Sequence, residues 1–480
     1  MSEKIFFLLP PPFIDGNRSL SPRGELPHQI VQLATCIKEQ NKFSVKIIDA
    51  FLENSSFTKI IKLFLAEQPR YIALPLAIIN REFSYAYILK LHNKLQSRLP
   101  NAKIILFNWF YPRDFVQRII KHQLKTTAKY FLFGDIEESL PLLLDKITRA
   151  IPMDSVPGLL YKKNKSYKQT TAIHIMKNLD RLPLPDWSLL DMQRYRIVPH
   201  RAAVVNFYPI RISRGCPWHR CIFCQESSTS ARERARAYII RSPESAIQEI
   251  KYAIQNFQVT ELQFTDVQFP SNKKWLLEFS NLLKKNNINI KWSCLSIITA
   301  FDFAGLKLLK NIGCYSILFG IESFDQQMLD FVKKGHTEKQ IKEAIKNCRK
   351  LKIKITGTFL MGLPGEKPSD IIKNSLKAVM LGIDYFELFI AKWYANPPQE
   401  LKSKYNISEW TYSKYDFYGP IVVPPGYKNL NHLKFIQKTA YFTFYCHPLT
   451  IVRHIFNIKT FYDVKRMFSA VKILKNLASE

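Results

Sequence analysis

Two long stretches of the chain, residues 4–147 and 204–392, alternate short apolar runs with amphipathic helical patterns. Strands that alternate with helices predict crossover connections and a parallel sheet. The first stretch predicts a doubly wound, flavodoxin-like α/β domain, whose ligand crevice lies beyond the carboxyl ends of its strands. The second stretch contains six strand–helix units and predicts a partial (β/α)6 barrel of the TIM type, with its chemistry at the carboxyl ends of the strands. The predicted strands are Ile5–Leu9, Ser44–Asp49, Tyr71–Leu76, Lys103–Phe107 and Tyr130–Phe133 in the first stretch, and Ala203–Ile212, Glu261–Phe264, Ile290–Leu295, Tyr315–Phe319, Lys354–Leu360 and Tyr385–Ile390 in the second.

The segments outside these two stretches differ from them in composition and in predicted structure. The region between them begins with a predicted hairpin near Val156–Tyr161 and continues into a proline-rich run at Asp180–Trp187, which fits neither helix nor strand. After the barrel come basic, aromatic-rich helices, at Asn431–Tyr445 and Ile451–Leu477. They predict a helical lid on the barrel, and a membrane-surface helix is the alternative. The predicted domains are therefore 1–150 (α/β), 151–203 (linker with hairpin), 204–395 (partial barrel) and 396–480 (helical region).

Three cysteines, Cys216, Cys221 and Cys224, lie within nine residues directly after the first predicted barrel strand. Clustered thiolates select iron–sulfur clusters, zinc or copper(I) over hard cations. A structural zinc site closes around four ligands, whereas a cubane cluster held by three cysteines keeps one iron open. The loop therefore predicts a site that presents a metal to a further ligand.

Composition limits the cellular context. No segment is long and charge-free enough to span a bilayer, and the first residues lack the basic start of a signal peptide. We therefore expect a cytoplasmic protein, in which cysteines are free thiols or metal ligands. The other five cysteines stand singly in apolar contexts and are predicted to be buried; they are Cys36, Cys294, Cys314, Cys348 and Cys446.

The net charge of +31 comes from 70 Lys and Arg against 39 Asp and Glu. Such a charge fits a nucleic acid or an anionic membrane surface as partner. The basic residues are spread along the chain and not gathered in one tract, which is also the pattern of a Lys-rich sequence without a dedicated polyanion site.

Polar and glycine-rich motifs follow three further barrel strands. Asp266 comes where the second strand stops, and Glu322 closes the Gly320–Ser323 segment after the fourth. After the fifth strand comes a turn that contains Gly362, Pro364, Gly365 and Glu366. Carboxylates can bind an ammonium group or sugar hydroxyls, and glycines let a ligand approach the backbone. Each motif alone is a common helix cap or turn, but all of them are predicted at one rim of the barrel.

This combination resembles the radical S-adenosylmethionine (SAM) superfamily, and in particular its members with an N-terminal cobalamin-binding-type domain. The resemblance covers nearly the whole chain, including the Leu182–Trp187 linker and the Ser213–Cys216 start of the cysteine loop. It implies a [4Fe–4S] cluster on the three loop cysteines, with SAM chelating the open iron. Reductive cleavage of SAM would then give an adenosyl radical that takes a hydrogen atom from an unactivated carbon.

The resemblance also implies roles for the other motif residues. Phe223 matches a position whose backbone lies near adenine, and Asp266 matches the strand-two region that contacts the SAM amino group. Glu322 matches a position near the ribose. The turn with Gly362, Pro364, Gly365 and Glu366 matches the strand-five turn near adenine.

The chain departs from the family pattern in two places. Its first two loop cysteines are separated by four residues, Pro217–Arg220, where three are usual, and His219 within them leaves a Cys3His zinc site as an alternative. The first domain lacks the Asp-x-His-x-x-Gly motif of an axial histidine. It also carries the bulky Phe107–Tyr111 run where a Gly-Gly pair normally makes room for the nucleotide tail of cobalamin. Cobalamin binding and a vestigial, structural domain are both open alternatives.

Three functions are compatible with the sequence. The first is a radical SAM enzyme acting on a small or lipid-like substrate, a methyltransferase if cobalamin binds, supplied with electrons by a donor such as flavodoxin or ferredoxin. The second is an RNA-modifying radical SAM enzyme, which the net charge favours. The third is a non-catalytic metal-binding relative, against which the complete set of Cys216, Cys221, Cys224, Asp266 and Glu322 argues.

Overall fold

The computed structural model of the chain describes residues 2–10, 26–78 except 51 and 54, 85–109, 126–195 except 172, 207–224, 238–391 except 364, and 426–456, with a few isolated residues between these ranges. The chain divides into two compact units, one formed by most of residues 1–196 and the other by most of residues 197–480. No helix within the described ranges is long and apolar enough to cross a membrane.

The first unit is built on five parallel strands in the order β2-β1-β3-β4-β5, which is the flavodoxin-like order. An antiparallel hairpin, β6-β7, extends this sheet beyond β5. The predicted fold class is confirmed, and the predicted hairpin is an edge of the first sheet. The elements are β1 (Glu3–Leu9), α1 (His28–Lys38), β2 (Phe43–Asp49), α2 (Phe57–Glu67), β3 (Tyr71–Ile78), α3 (Tyr85–Arg98), β4 (Lys103–Asn108), β5 (Tyr130–Phe133), α4 (Ile136–Arg149), β6 (Leu159–Lys163) and β7 (Ser166–Gln169).

The central strands of this sheet are buried on both faces. Ile5–Leu9 of β1 are each at most 2% exposed, which is the pattern of a parallel strand covered by helices on both sides. The proline-rich linker is fixed to α1, because the Asp186 backbone N–H donates to Thr35 Oγ1 at 2.9 Å and Trp187 is fully buried. The linker is therefore an ordered part of the first unit.

The second unit is a six-stranded, all-parallel sheet in which spatial neighbours are consecutive in sequence, the topology of an open (β/α)6 barrel. Ser242 caps the first helix by accepting from the Ser245 backbone N–H at 3.1 Å, and Pro243 occupies the first helical position, as predicted. The elements are β8 (Phe207–Ile210), α5 (Pro243–Phe257), β9 (Glu261–Phe264), α6 (Lys273–Lys285), β10 (Lys291–Ser296), α7 (Phe303–Asn311), β11 (Cys314–Glu322), α8 (Gln326–Phe331), α9 (Glu338–Lys350), β12 (Lys354–Met361), α10 (Pro368–Leu381), β13 (Tyr385–Ile390), α11 (Leu430–Tyr445) and α12 (Pro448–Phe456).

The outer edge of the last strand, β13, is covered by side chains of α11. The Tyr441 hydroxyl accepts from the Leu388 N–H at 3.0 Å, and the Tyr445 hydroxyl accepts from the Phe386 N–H at 3.1 Å. Each hydroxyl also lies within donating distance of the carbonyl of the same residue. Because an open barrel leaves an edge strand with unpaired backbone groups, these tyrosines substitute for a neighbouring strand.

The packing of α11 on the barrel supports the helical lid predicted for this region, and Ser375 Oγ of α10 donates to the Ala440 carbonyl at 2.7 Å. By contrast, α12 carries exposed apolar side chains, including Ile455 and Phe456. The predicted second helix continues to Leu477, and most of that part lies outside the described residues. Contact with a membrane surface stays a prediction.

Candidate active site

The cysteine loop begins immediately beyond β8. A two-residue strand, Ser213–Arg214, pairs antiparallel with Ile239–Ile240, and Gly215 then turns the chain with a φ of 85°. Positive φ at this position suits glycine, which has no Cβ. Cys216 and Cys221 are buried, and Cys224 is half-buried. The loop therefore carries the three thiols into the protein, at the carboxyl end of the first barrel strand.

The three thiols influence one another electrostatically. Burial raises the pKa of Cys221 to about 11, with the negative charge of Cys216 adding to the increase and the positive charge of Lys334 opposing it. Burial also raises the pKa of Cys224, with contributions from Cys221 and Cys216. A metal must displace the thiol protons to bind. A cation close to these buried thiolates would therefore stabilise their ionised form strongly.

The spacer histidine of the loop contacts the loop's own backbone. Within the described ranges, no three His, Cys, Asp or Glu side chains, the loop cysteines included, are close enough together to hold a metal ion in this structure. His219, which would complete a zinc site, is only half-buried, and its Nδ1 lies 3.1 Å from the Pro217 carbonyl oxygen. Because a structural zinc ion closes its shell with four ligands, a Cys3His zinc site would require His219 to leave this contact, and the assignment of the three cysteines to a cluster stays a prediction.

Asp266 braces the start of the cysteine loop. Its Oδ1 accepts from the Ile212 N–H at 3.0 Å and from the Ser213 hydroxyl at 2.7 Å. Its Oδ2 is buried and has no hydrogen-bond partner among the described residues. Burial raises the pKa of Asp266 to about 6. One carboxylate oxygen therefore holds the loop, and the other is an acceptor compatible with an ammonium group; contact with the SAM amino group stays a prediction.

Glu322 ends β11 in a strained conformation and forms a buried ion pair. Its φ is 67°, a value that non-glycine residues rarely adopt and that costs about 1–3 kcal/mol. Its Oε1 lies 2.7 Å from Lys334 Nζ, and the two side chains are 8% and 9% exposed. A Cβ on Gly320 would lie 2.7 Å from Lys334 Nζ, so glycine at this position leaves room for the ion pair.

Lys334 is a charged residue of the site that no sequence motif predicted. Burial alone would lower its pKa, but the neighbouring negative charges of Glu322 and Cys221 outweigh that effect and raise it. Its Nζ also lies 5.9 Å from the centre of the Phe223 ring, in the cysteine loop. It belongs to a short turn, residues 332–336, that we call the Lys334 turn. This turn therefore places a fixed positive charge between the loop and the strand-four carboxylate.

The turn after β12 is held by its own carboxylate. Glu366 Oε2 accepts from the Gly362 N–H at 2.7 Å and from the Leu363 N–H at 3.2 Å. Burial raises the pKa of Glu366 to about 8, and the two backbone donors oppose the increase. Gly362 and Gly365 have φ values of 81° and 85°, so both suit glycine. Glu366 thus shapes the turn predicted to lie near adenine, and its Oε1 is a buried acceptor without a partner among the described residues.

The predicted site residues therefore fall into two groups, one connected to the cysteine loop and one in the turn after β12. Cys216, Cys221, Cys224 and Phe223 lie on one loop, and Glu322 is joined to that loop through Lys334. Asp266 contacts the start of the same loop. Gly362, Gly365 and Glu366 form a separate turn at the same end of the sheet, and Pro364 lies outside the described residues. Their assignment as ligands of the cluster and of SAM stays a prediction, with which the buried, unpartnered carboxylate oxygens are compatible.

The end of the fourth strand in the first unit is filled by Trp109. Its side chain is 1% exposed, and its Nε1 donates to Glu137 Oε1 at 3.1 Å. The indole also packs edge-on against Phe107, with ring centroids 5.2 Å apart. Most of the loops predicted to line the crevice lie outside the described residues. Among the residues described at this strand end, Trp109 occupies the position where the family pattern has a glycine pair.

The chain is similar to known proteins over both units. Residues 210–374 match the Radical SAM superfamily. An uncharacterized methyltransferase of Pyrococcus horikoshii is 26% identical over 458 residues, which are 94% of this chain and 95% of the relative. The bacteriochlorophyllide d C-8(2)-methyltransferase of Chlorobaculum tepidum is 32% identical over 161 residues, which are 32% of this chain and 34% of the relative.

Structural similarity extends over the full length. The radical SAM methyltransferase TsrM of Kitasatospora setae, solved with cobalamin and a [4Fe–4S] cluster bound, has a TM-score of 0.65 at 15% identity, and the match covers 100% of this chain and 99% of TsrM. This likeness shows a common fold. The family match begins at the end of β8 and includes the cysteine loop, Asp266, Glu322 and the Gly362 turn, so the second unit contains a Radical SAM domain, and the chain as a whole has the fold of a radical SAM methyltransferase that was solved with cobalamin bound.

Proposed function

We propose that this enzyme methylates an unactivated carbon of a small or lipid-like molecule with two molecules of SAM. One is cleaved reductively to methionine and the adenosyl radical, which removes a hydrogen atom from that carbon, and the other supplies the methyl group and leaves as S-adenosylhomocysteine. The observation that carries the proposal is the position of the site. The cysteine loop, Asp266, the Glu322–Lys334 pair and the Glu366 turn all lie where parallel barrel strands end, which is where such barrels carry out their chemistry. Methyl transfer is supported by the relatives described above, which are methyltransferases by name.

The chain's own residues have defined tasks in this proposal. Cys216, Cys221 and Cys224 would hold the cluster, which when bound supplies one electron to the sulfonium of SAM. The free oxygen of Asp266 would accept from the SAM ammonium group, and Glu322 would accept from ribose hydroxyls, since both carboxylates are buried at strand ends. The positive φ of Gly362 lets the backbone approach the adenine closely. Burial of these groups excludes water from the reactive centre.

The proposal includes an external electron donor, such as flavodoxin or ferredoxin, because each SAM cleavage consumes one electron. It also includes a small-molecule substrate class, because the Chlorobaculum relative is named for a bacteriochlorophyllide. Cobalamin is the candidate methyl carrier because the fold matches that of TsrM. No step is assigned to it, since Trp109 fills the described end of strand four.

The test supplies the reduced, anaerobically purified enzyme with SAM that carries a trideuteromethyl group, together with a small-molecule extract. We expect 5′-deoxyadenosine, S-adenosylhomocysteine and at least one extract component that gains the labelled methyl group. A Cys221→Ser variant is the matched control and should give none of them. If 5′-deoxyadenosine forms and no methyl label moves, the radical chemistry stands and the methyl transfer is refuted.

RNA modification is the second candidate, and the net charge of +31 is the observation that favours it. In that case the labelled methyl group or another modification would appear in tRNA or total RNA, and RNA binding would weaken steeply between low and moderate salt. If RNA neither copurifies nor binds at about 50 mM salt, the charge belongs to the Lys-rich composition alone.

A further inference from the structure

The longer spacer between the first two loop cysteines contains a tryptophan that docks on the Lys334 turn. Trp218 Nε1 donates to the Lys333 carbonyl at 2.8 Å. The ring lies directly over Gly335, where a Cβ would come within 1.9 Å of Trp218 Cζ2. Arg220 covers the indole, with its Cζ 5.2 Å from the ring centre. The loop with the extra spacer residue is thus held by a specific contact of its tryptophan. We call the Lys333 carbonyl and Gly335, which Trp218 contacts, the Trp218 seat.

The same turn contacts the loop beyond its second cysteine. The Ile222 N–H donates to the Val332 carbonyl at 3.2 Å. The loop is therefore held to the Lys334 turn on both sides of Cys221, by Trp218 before it and by Ile222 after it. Two attachment points that flank one ligand fix the position of that ligand better than either point alone.

The turn also carries the side chain that reaches the strand-four carboxylate. Lys334 directly follows Val332 and Lys333, whose carbonyls accept from the loop, and its Nζ is 2.7 Å from Glu322 Oε1. Its positive charge acts on Cys221 and Cys224. The Trp218 seat, Lys334 and Glu322 therefore form one continuous chain of contacts, from the cysteine loop to the end of β11.

We infer that Trp218 is a positioning residue that sets the register between the cysteine loop and the Lys334–Glu322 pair. The inference rests on the proposed function, since the loop is taken to hold the cluster. If this is so, disturbing the contact between Trp218 and Gly335 changes how SAM is held relative to the cluster. The cysteines still bind the cluster. Trp218 itself is not expected to touch SAM or to take part in the chemistry.

The experiment disturbs the seat from both sides in the reconstituted full-length enzyme. Trp218→Phe removes the indole N–H, and Gly335→Ala places a methyl group against the indole. His219→Asn is the matched control, because it changes the residue next to Trp218 and Asn tolerates the φ of 39° there.

Three properties are compared among these proteins. Iron per chain reports whether the cluster is held. The rate of 5′-deoxyadenosine formation, followed as the SAM concentration is varied, gives both KM and kcat. The change that SAM causes in the electron paramagnetic resonance spectrum of the reduced cluster reports how SAM sits against the iron.

We expect both seat variants to keep wild-type iron. Trp218→Phe should raise the KM for SAM about 3- to 10-fold, the effect of one net hydrogen bond, and Gly335→Ala should raise it at least as much, because its Cβ would lie 1.9 Å from Trp218 Cζ2 and its φ of 78° suits glycine. The SAM-induced spectral change should weaken, and kcat should change less than KM. His219→Asn should behave as wild type. Unchanged KM and spectra in both seat variants would overturn the inference. Loss of iron in proportion to the loss of activity would also overturn it, because Trp218 would then only stabilise the loop that holds the cluster. A wild-type enzyme that neither cleaves SAM nor responds to it spectrally contradicts the proposed function itself.

Discussion

Removing the Lys334 ammonium should destabilise the second unit, because it leaves the buried Glu322 carboxylate without its ion-pair partner. The pair has an N–O distance of 2.7 Å, and its side chains are 9% and 8% exposed. At an effective dielectric constant of about 20, the Coulomb attraction at this distance is about 6 kcal/mol. Desolvation offsets part of it, and removing one partner of a buried pair costs about 3–5 kcal/mol because the other charge stays buried and unpaired. Lys334→Met should therefore be strongly destabilising.

Thermal unfolding of the second unit measures this effect. A unit of this size shifts its Tm by about 2–4 °C per kcal/mol, so Lys334→Met should lower the Tm by about 6–20 °C. Lys333→Met is the matched control, because it is the same substitution at the adjacent, exposed lysine. Its effect should stay within about 0.5 kcal/mol.

A double-mutant cycle separates the pair from other contacts of Lys334. Adding Glu322→Gln to Lys334→Met removes the unpaired buried charge and should recover at least half of the lost stability, a coupling energy of about 2 kcal/mol or more. Equal melting of Lys334→Met and Lys333→Met, or strictly additive effects in the cycle, would refute the reasoning.

Three further predictions concern other parts of the molecule. Replacing Tyr441 and Tyr445 by Phe should expose the edge of β13, cost about 1–3 kcal/mol for each pair of unsatisfied backbone groups, and speed amide hydrogen exchange in β13 while leaving β9 unchanged. Burial raises the pKa of Glu366 from 4.5 to about 8. Between these two pH values the Glu366 carboxyl is therefore protonated in the folded state and ionised in the unfolded state. Stability from this group is therefore fully present below pH 4.5 and is lost as the pH rises through 8. Glu366→Gln should flatten the dependence of Tm on pH between 4.5 and 8, and an unchanged slope contradicts the assignment. Trp109→Gly should open the end of the fourth strand in the first unit, so that visible absorbance detects more bound cobalamin than in the wild type; equal retention by both proteins shows that Trp109 does not control access.

Local sequence patterns predicted the order of elements in both units, because strand and helix periodicity and helix caps depend on neighbouring residues. The β9 and β13 bounds match the predicted Glu261–Phe264 and Tyr385–Ile390, and the Ser242 cap lies where it was expected. The predicted end of the fourth barrel strand at Phe319 was wrong by three residues. That strand continues to Glu322, because pairing with β12 resumes beyond a register shift between Gly320 and Glu322.

Contacts between distant segments were not predictable in the same way. Lys334 follows Glu322 by twelve residues and reaches it through a turn that has no sequence signature. The seat of Trp218 likewise depends on how the loop folds back on Gly335. Such contacts arise only once the strands have placed the loop and the turn together.

The cysteines outside the loop show the same limit. Cys294, Cys314 and Cys348 are buried as predicted, but they are not isolated, since Cys314 and Cys348 both influence the pKa of Cys294. They are brought together because β10 and β11 are neighbouring strands and α9 packs on the same sheet. The prediction of burial was wrong for Cys446, which is exposed, and Cys36 is only half-buried.

The central claim is that Cys216, Cys221 and Cys224 hold a [4Fe–4S] cluster at which SAM is cleaved. Anaerobic reconstitution of the full chain, followed by iron and zinc quantification and a dithionite-driven assay for 5′-deoxyadenosine, tests it most directly. We expect about four irons per chain and SAM cleavage that disappears when any one of the three cysteines is replaced by serine. Tight zinc without iron, or iron that survives the loss of a loop cysteine together with full activity, would contradict the account.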